Sequence, residues 1–162
     1  MIRLVDLKKD FSGREVLKGL NLEIKAGQIV FVLGTSGTGK SVLLKLLVGL
    51  LKPTSGRIEI DGREITGLSE DELQSVRKKC GMVFQHPALF DSLTIFENVA
   101  FGLRKHSKLD EAAIRQRVRE CLDLVHLEDV EQLLPQELSY GMQKRVSLAR
   151  TLAVQPEILL FD

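Results

Sequence analysis

The spacing of apolar and polar positions changes several times along the chain, and each change marks an element. The stretches IRLVDL at 2–7 and NLEI at 21–24 read as strands, and QIVFVL at 28–33 is a continuous apolar run between Gly27 and Gly34. Such a run predicts a buried strand of a parallel sheet, apolar on both faces. Residues 41–51 are apolar on nearly every side, which predicts a helix enclosed against that sheet. PTSG at 53–56 turns the chain, and RIEIDG and REIT alternate about Asp61-Gly62, a pair suited to a tight hairpin. An antiparallel element beside the parallel sheet is therefore expected.

Further on, Ser69 with Glu72 and Thr94 with Glu97 spell the reciprocal capping box, so a helix is predicted to begin at each. Between them CGMVFQ at 80–85 reads as a second buried strand. From Asp110 the apolar positions Ile114, Val118, Cys121, Leu122 and Val125 recur at helical spacing and form one face of an amphipathic helix. Another helix should start after Ser139 and stop before Pro156, which cannot continue it. EILLFD at 157–162 then reads as a buried parallel strand that delivers Asp162 to the edge of the sheet, where α/β proteins hold their ligands. The fold class is α/β, interrupted by a mostly helical region at about 86–145.

Composition narrows the possibilities. A chain of 162 residues fits one domain and can bury roughly 70% of its unfolded surface. Its 23 basic and 22 acidic residues leave a net charge of +1, so no global field recruits nucleic acid or an anionic membrane. Basic clusters such as RKK at 77–79 and QKR at 143–145 read as solvated helix faces, and no nucleic-acid partner is expected. Cys80 and Cys121 sit in apolar patterns and read as core thiols in a reducing compartment. The charged start MIRLVDLKKD lacks the apolar core of a signal peptide, and 41–51 is too short to span a bilayer. A soluble, cytoplasmic chain is expected.

The sharpest chemical signal is GTSGTGKS at 34–41, placed after one predicted strand and opening a helix. Composition alone would produce the pattern at about one position in 25,000, so chance is set aside. Gly34, Gly37 and Gly39 let backbone N–H groups turn inward; Lys40 supplies a point charge and the helix N-terminus a partial one. With Thr35, Ser36, Thr38 and Val42, these residues form a pocket for a nucleotide's phosphates. Ser41 can offer its hydroxyl to Mg²⁺, and Asp162, at the end of a second core strand, can hold the same ion through its water shell.

Two more stretches, VFQHPALF at 83–90 and ELSYGMQKRVSLARTLAVQPEILLFD at 137–162, narrow the class of nucleotide-binding fold. With FSGREVL at 11–17 they resemble the ATP-binding cassette (ABC) ATPases, and the resemblance covers the whole chain in order. It implies a phosphate-loop nucleoside triphosphatase domain with an N-terminal antiparallel β element and a helical insert, spanning 1–162 as part of a cassette. It implies ATP and Mg²⁺ as ligands. Phe11 would stack on adenine, and Gln85 would sense the metal and the γ-phosphate. Lys40, Gln85 and Asp162 would form the catalytic set, with Ser41, Gln85 and Asp162 toward the metal. Residues 138–143, Ser139 and Gly141 among them, would complete the site of a facing subunit. The chemistry agrees: Phe11 has a π face, and Ser139 caps a helix N-terminus that can meet an anion.

Family members usually carry glycine where this chain has Tyr140, and often glutamine where it has Met142. Modified geometry at the opposite γ-phosphate is expected there, with Gly141 retained. FQHPALFDSLTIFENVAFGLR and LLPQELSYGM look like the ATPases of Mla-type importers of phospholipid or hydrophobic compounds; the same regions also resemble amino-acid and methionine importers. In the family a glutamate follows the strand-end aspartate and a histidine ends a later strand. Both lie outside this chain, so a cassette lacking its C-terminal part, without turnover of its own, is expected.

The resemblance implies an ATP-hydrolysing transporter subunit that pairs with a second cassette, a homodimer, and docks on integral membrane permease subunits at the inner face of the membrane. The density of Phe84, Leu89, Phe90, Leu93, Ile95, Phe96 and Phe101 near 85–101 points to the docking groove. A soluble cassette ATPase without a membrane partner, and a nucleotide-binding module that does not hydrolyse ATP, stand as alternatives.

Overall fold

Alternation at the N-terminus is realised as a long antiparallel ladder. In the computed structural model, which describes residues 1–162, β1 (Ile2–Phe11) pairs with β2 (Arg14–Ile24) on one side and with β3 (Ser55–Ile60) on the other. A short β4 (Arg63–Glu64) completes the order β2-β1-β3-β4. Register sets Ile2 opposite Ile60 and Leu4 opposite Ile58, so these apolar side chains share one face and are buried with Leu7. The predicted hairpin is present. Asp61 and Gly62 both have positive φ (49° and 77°), the backbone that a tight two-residue turn between right-twisted strands requires.

β1 is irregular between Leu4 and Leu7, where Asp6 takes φ 44° and its N–H donates to Asn21 Oδ1 at 2.9 Å. β3 passes this bulge closely. Gly56, at φ 83°, lies so near that a Cβ there would fall 2.3 Å from the Asp6 carbonyl oxygen. Neither backbone can move without breaking the ladder, so Gly56→Ala is expected to cost about 2 kcal/mol or more, through clash and forbidden φ together. An unchanged urea midpoint in that variant would contradict this packing.

The sheet belongs to a first unit, Met1–Arg77; a second comprises Lys78–Asp162. The first also holds α1 (Lys40–Leu47), which buries Leu43, Leu46 and Leu47, and most of α2 (Glu70–Lys79), which buries Leu73 and Val76. The Ser69–Glu72 capping box forms as predicted. Bonds from the Ser69 N–H and hydroxyl hold the Glu72 carboxyl below its usual range. α1 ends earlier than the apolar pattern implied. Gly49 turns the chain at φ 66°, and the Arg77 guanidinium takes the freed carbonyls of Val48 (3.0 Å) and Gly49 (3.2 Å).

One expectation fails. Residues 28–33 form no strand and are not buried: Ile29, Phe31 and Leu33 are each more than 80% exposed (84%, 81% and 89%). The run pairs with neither sheet. A strand is defined by its neighbours, and an apolar run without a ladder partner is extended chain whatever its propensity.

In the second unit β5 (Cys80–Val83) and β6 (Ile158–Phe161) form a parallel pair, as the two apolar runs predicted, but the predicted burial fails: Leu160 is buried while Leu159 and Phe161 are exposed, because a two-stranded sheet covers only one face. Three helices carry the core: α3 (Ile95–His106), α4 (Glu111–Leu124) and α5 (Tyr140–Ala153). Val99 and Leu103, Val118 and Cys121, and Val146 and Ala149 interlock in one buried cluster. Thr94 and Glu97 complete the second capping box, and Asp110 and Ser139 cap the next two helices. α5 ends before Pro156 with Arg117 of α4 donating to the carbonyls of Leu152 and Ala153. Burial pushes the Cys121 thiol up, which makes it the unreactive core thiol that its position predicted.

Candidate functional site

The first unit carries the phosphate loop. Of the three glycines singled out, Gly37 and Gly39 take positive φ (81° and 98°), and Gly34 does not. Gly39 is also the N-cap of α1. It has no side chain to occupy the first-turn N–H groups, and no acidic residue lies in that turn to compete for them. The loop is tied to itself: Thr38 Oγ1 donates to the Thr35 carbonyl at 2.9 Å. Lys40 Nζ donates to the carbonyls of Gly34 (2.7 Å) and Thr35 (2.8 Å), which holds the ammonium at the loop rather than in bulk water. A helix N-terminus, a lysine and an open backbone are the features that suit a loop to an anion.

The loop rests on the start of β2. A Cβ on Gly39 would fall 2.6 Å from Val16 Cγ1 and 3.5 Å from the Val16 carbonyl oxygen, and one on Gly37 would lie 3.9 Å from an Arg14 guanidinium nitrogen. Sequence reasoning missed Arg14 and Val16, because no spelling within β2 points to a loop more than twenty residues away. Phe11, at the end of β1 in the same hairpin, is exposed, with Lys9 Nζ 4.8 Å from its ring centroid. An exposed aromatic face of this kind suits a purine base.

The second unit carries the other predicted residues. Register sets Val83 opposite Phe161, and the Asp162 N–H donates to the Val83 carbonyl at 3.0 Å. Gln85 and Asp162 thus leave neighbouring parallel strands at the same, C-terminal edge. Ser139 Oγ accepts from the Met142 N–H at 3.3 Å, and Gly141 faces open space. Within 138–143, Leu138 is buried and Gln143 turns inward, donating to the carbonyls of Pro135 (2.9 Å) and Leu138 (3.1 Å); Ser139, Tyr140 and Gly141 face outward. The Tyr140 hydroxyl donates to the Gln85 carbonyl at 3.2 Å, a contact that the sequence did not announce.

Hard oxygen groups of the kind magnesium prefers occur in each unit, the Ser41 hydroxyl in the first and the Gln85 amide and Asp162 carboxylate in the second, and no group of three His, Cys, Asp or Glu side chains could hold a metal ion by itself. Phosphate oxygens and water would have to complete the shell, as they do when magnesium arrives with a nucleotide.

Fold and site together define a phosphate-loop nucleotide-binding protein. Residues 17–162 match the ABC transporter family, and the chain belongs to it. It is 44% identical over its whole length to the intermembrane phospholipid transport system ATP-binding protein MlaF of Haemophilus influenzae, of which it spans 61%. It is 45% identical to the protein trigalactosyldiacylglycerol 3, chloroplastic, of Arabidopsis thaliana, spanning 49% of that protein. To the methionine import ATP-binding protein MetN of Rhizobium johnstonii it is 44% identical, spanning 44%. Among solved structures, the dimeric post-hydrolysis state of the ATP-binding cassette MJ0796, bound to ADP and phosphate, superposes with a TM-score of 0.92 at 38% identity, over all of this chain and 73% of that one. The cbiO1 protein of Clostridium perfringens, part of the transporter complex cbiONQ, gives a TM-score of 0.87 at 36% identity, covering 99% of this chain and 64% of that one. No helix of the chain is long and apolar enough to cross a membrane.

Proposed function

We propose that the protein is the ATP-binding and ATP-hydrolysing subunit of an importer, working as a pair of cassettes docked on integral membrane subunits at the cytoplasmic face. The observation that carries this reading is the phosphate loop, with Lys40 held at its mouth by the Gly34 and Thr35 carbonyls. Bound MgATP supplies the outer phosphates and the metal. Loop N–H groups and Lys40 would hold the phosphates, the Ser41 hydroxyl and the Asp162 carboxylate would each offer an oxygen to the ion or its water shell, and the Gln85 amide would respond to both. Phe11 stacks on the base. Ser139 and Gly141, exposed at the start of α5, face the nucleotide of the second cassette; the dimeric state of MJ0796 supports that pairing.

Docking on the membrane subunits falls near 85–101. There Phe90 and Phe101 lie with ring centroids 4.8 Å apart and stay exposed (43% and 45%), an aromatic pair offered to a partner helix. Cysteines placed at 88–92 in native membranes are expected to cross-link to an integral membrane protein. Capture of soluble proteins alone would contradict the docking site.

The cargo we infer is phospholipid or another hydrophobic compound. Two relatives with lipids in their names support it, MlaF and the trigalactosyldiacylglycerol 3 protein. Reconstitution with the membrane subunits is expected to give ATP-dependent transfer of labelled phospholipid between vesicles, abolished by Lys40→Ala. ATP-dependent uptake of methionine in its place would overturn the cargo assignment.

A further inference from the structure

The strand-end glutamine and the first turn of α5 are joined by a side chain that neither motif requires. Tyr140 is the chain's single tyrosine. Its hydroxyl donates to the Gln85 carbonyl at 3.2 Å and lies 3.3 Å from His86 Nδ1. One hydroxyl has one proton. With that proton on the Gln85 carbonyl, His86 meets the tyrosine oxygen as a donor through Nδ1–H, which both the corresponding neutral tautomer and the imidazolium provide. Lys144 Nζ, one turn along α5, lies 5.2 Å from the tyrosine ring centroid.

The next residues of the same loop are held further down the same helix. Arg150 donates to the carbonyls of Ala88 (2.9 Å) and Pro87 (3.3 Å) and lies 5.9 Å from the Phe90 ring centroid. α5 therefore grips the segment 85–88 at two separated points. The two grips differ in kind: Arg150 is largely shielded from water, and burial pulls its pKa down, whereas Tyr140 is 52% exposed and contributes little to the core. Removing the tyrosine hydroxyl should therefore free the Gln85 main chain and leave the fold intact.

We propose that Tyr140 is a positioning residue that ties the glutamine loop to the first turn of α5, so that the Gln85 amide is aimed from the helix whose N-terminus faces the second cassette. The Gln85 side chain starts from the backbone that this bond fixes. A helix starting with glycine at this point has no such tie, and there the loop and the helix can move separately. The inference rests on the reading of Gln85 as a nucleotide-sensing residue; the tie itself stands on geometry alone.

Tyr140→Phe and His86→Ala in the full-length protein test it in two readouts. Without nucleotide, amide hydrogen exchange in 84–88 is expected to speed about fivefold in Tyr140→Phe, the effect of one lost hydrogen bond, with the thermal midpoint unchanged. In steady state, kcat is expected to fall about fivefold while KM for MgATP stays within about twofold, because the loop N–H groups and Lys40 carry most of the nucleotide's grip. His86→Ala should give a smaller effect that vanishes when combined with Tyr140→Phe. Unchanged exchange in Tyr140→Phe overturns the tie. Faster exchange with unchanged kcat overturns the positioning role. Wild-type protein that binds no nucleotide refutes the reading of Gln85, and the exchange result then judges the tie alone.

Discussion

Replacing Lys40 with alanine lowers the affinity of the protein for MgATP about tenfold or more. The Lys40 ammonium is the one full positive charge anchored in the loop, held there by two carbonyls at 2.7 and 2.8 Å. Hydrogen bonds to charged groups are worth about 1.5–3 kcal/mol each, and a phosphate loses that much when this partner is removed. The substitution should not unfold the chain, because the loop's shape is set by Gly37, Gly39 and the Thr38–Thr35 bond rather than by the lysine. Calorimetric titration measures the first and a calorimetric temperature scan the second: weakened binding with an unchanged melting midpoint is expected. Unchanged affinity would show that the phosphates bind elsewhere.

The second large effect is structural. Asn98, on α3, is fully buried yet polar. Its Oδ1 accepts from the Phe90 N–H at 2.8 Å, and its Nδ2 lies within hydrogen-bond reach of the carbonyls of Phe90 (3.1 Å), Leu93 (3.0 Å) and Thr94 (3.0 Å). One side chain thus satisfies the backbone of the loop leading into α3, the loop on which Phe90 is displayed. Asn98→Ala strands the Phe90 N–H and the Leu93 carbonyl, while the Phe90 and Thr94 carbonyls keep the N–H groups of Leu93 and Asn98, and each unsatisfied buried group costs about 1–3 kcal/mol. A loss of about 3 kcal/mol in urea denaturation is expected, together with rapid hydrogen exchange at Phe90. A loss below about 1 kcal/mol would mean that the loop's backbone is satisfied by other partners.

Local chemistry was legible in the sequence. Both capping boxes, the Asp61-Gly62 turn and the stop before Pro156 formed where they were read, because each is decided within a few residues. The candidate site was legible by spelling at 34–41 and by strand ends at Gln85 and Asp162, whose common edge follows from parallel pairing. What escaped depends on residues far apart. The apolar run 28–33 reads as a buried strand, but burial requires a ladder partner, and spelling does not supply one. α1 stops at Leu47 because Gly49 turns the chain and Arg77, some thirty residues on, collects the freed carbonyls. Arg14 and Val16 approach the loop, and Tyr140 reaches Gln85, across separations that no periodicity encodes.

Steady-state phosphate release by the purified full-length protein, compared with Lys40→Ala, tests the central claim most directly. Magnesium-dependent ATP hydrolysis over many turnovers, lost in Lys40→Ala, is the predicted result. No hydrolysis by the wild-type protein with its membrane subunits present, or hydrolysis that survives Lys40→Ala, would contradict it.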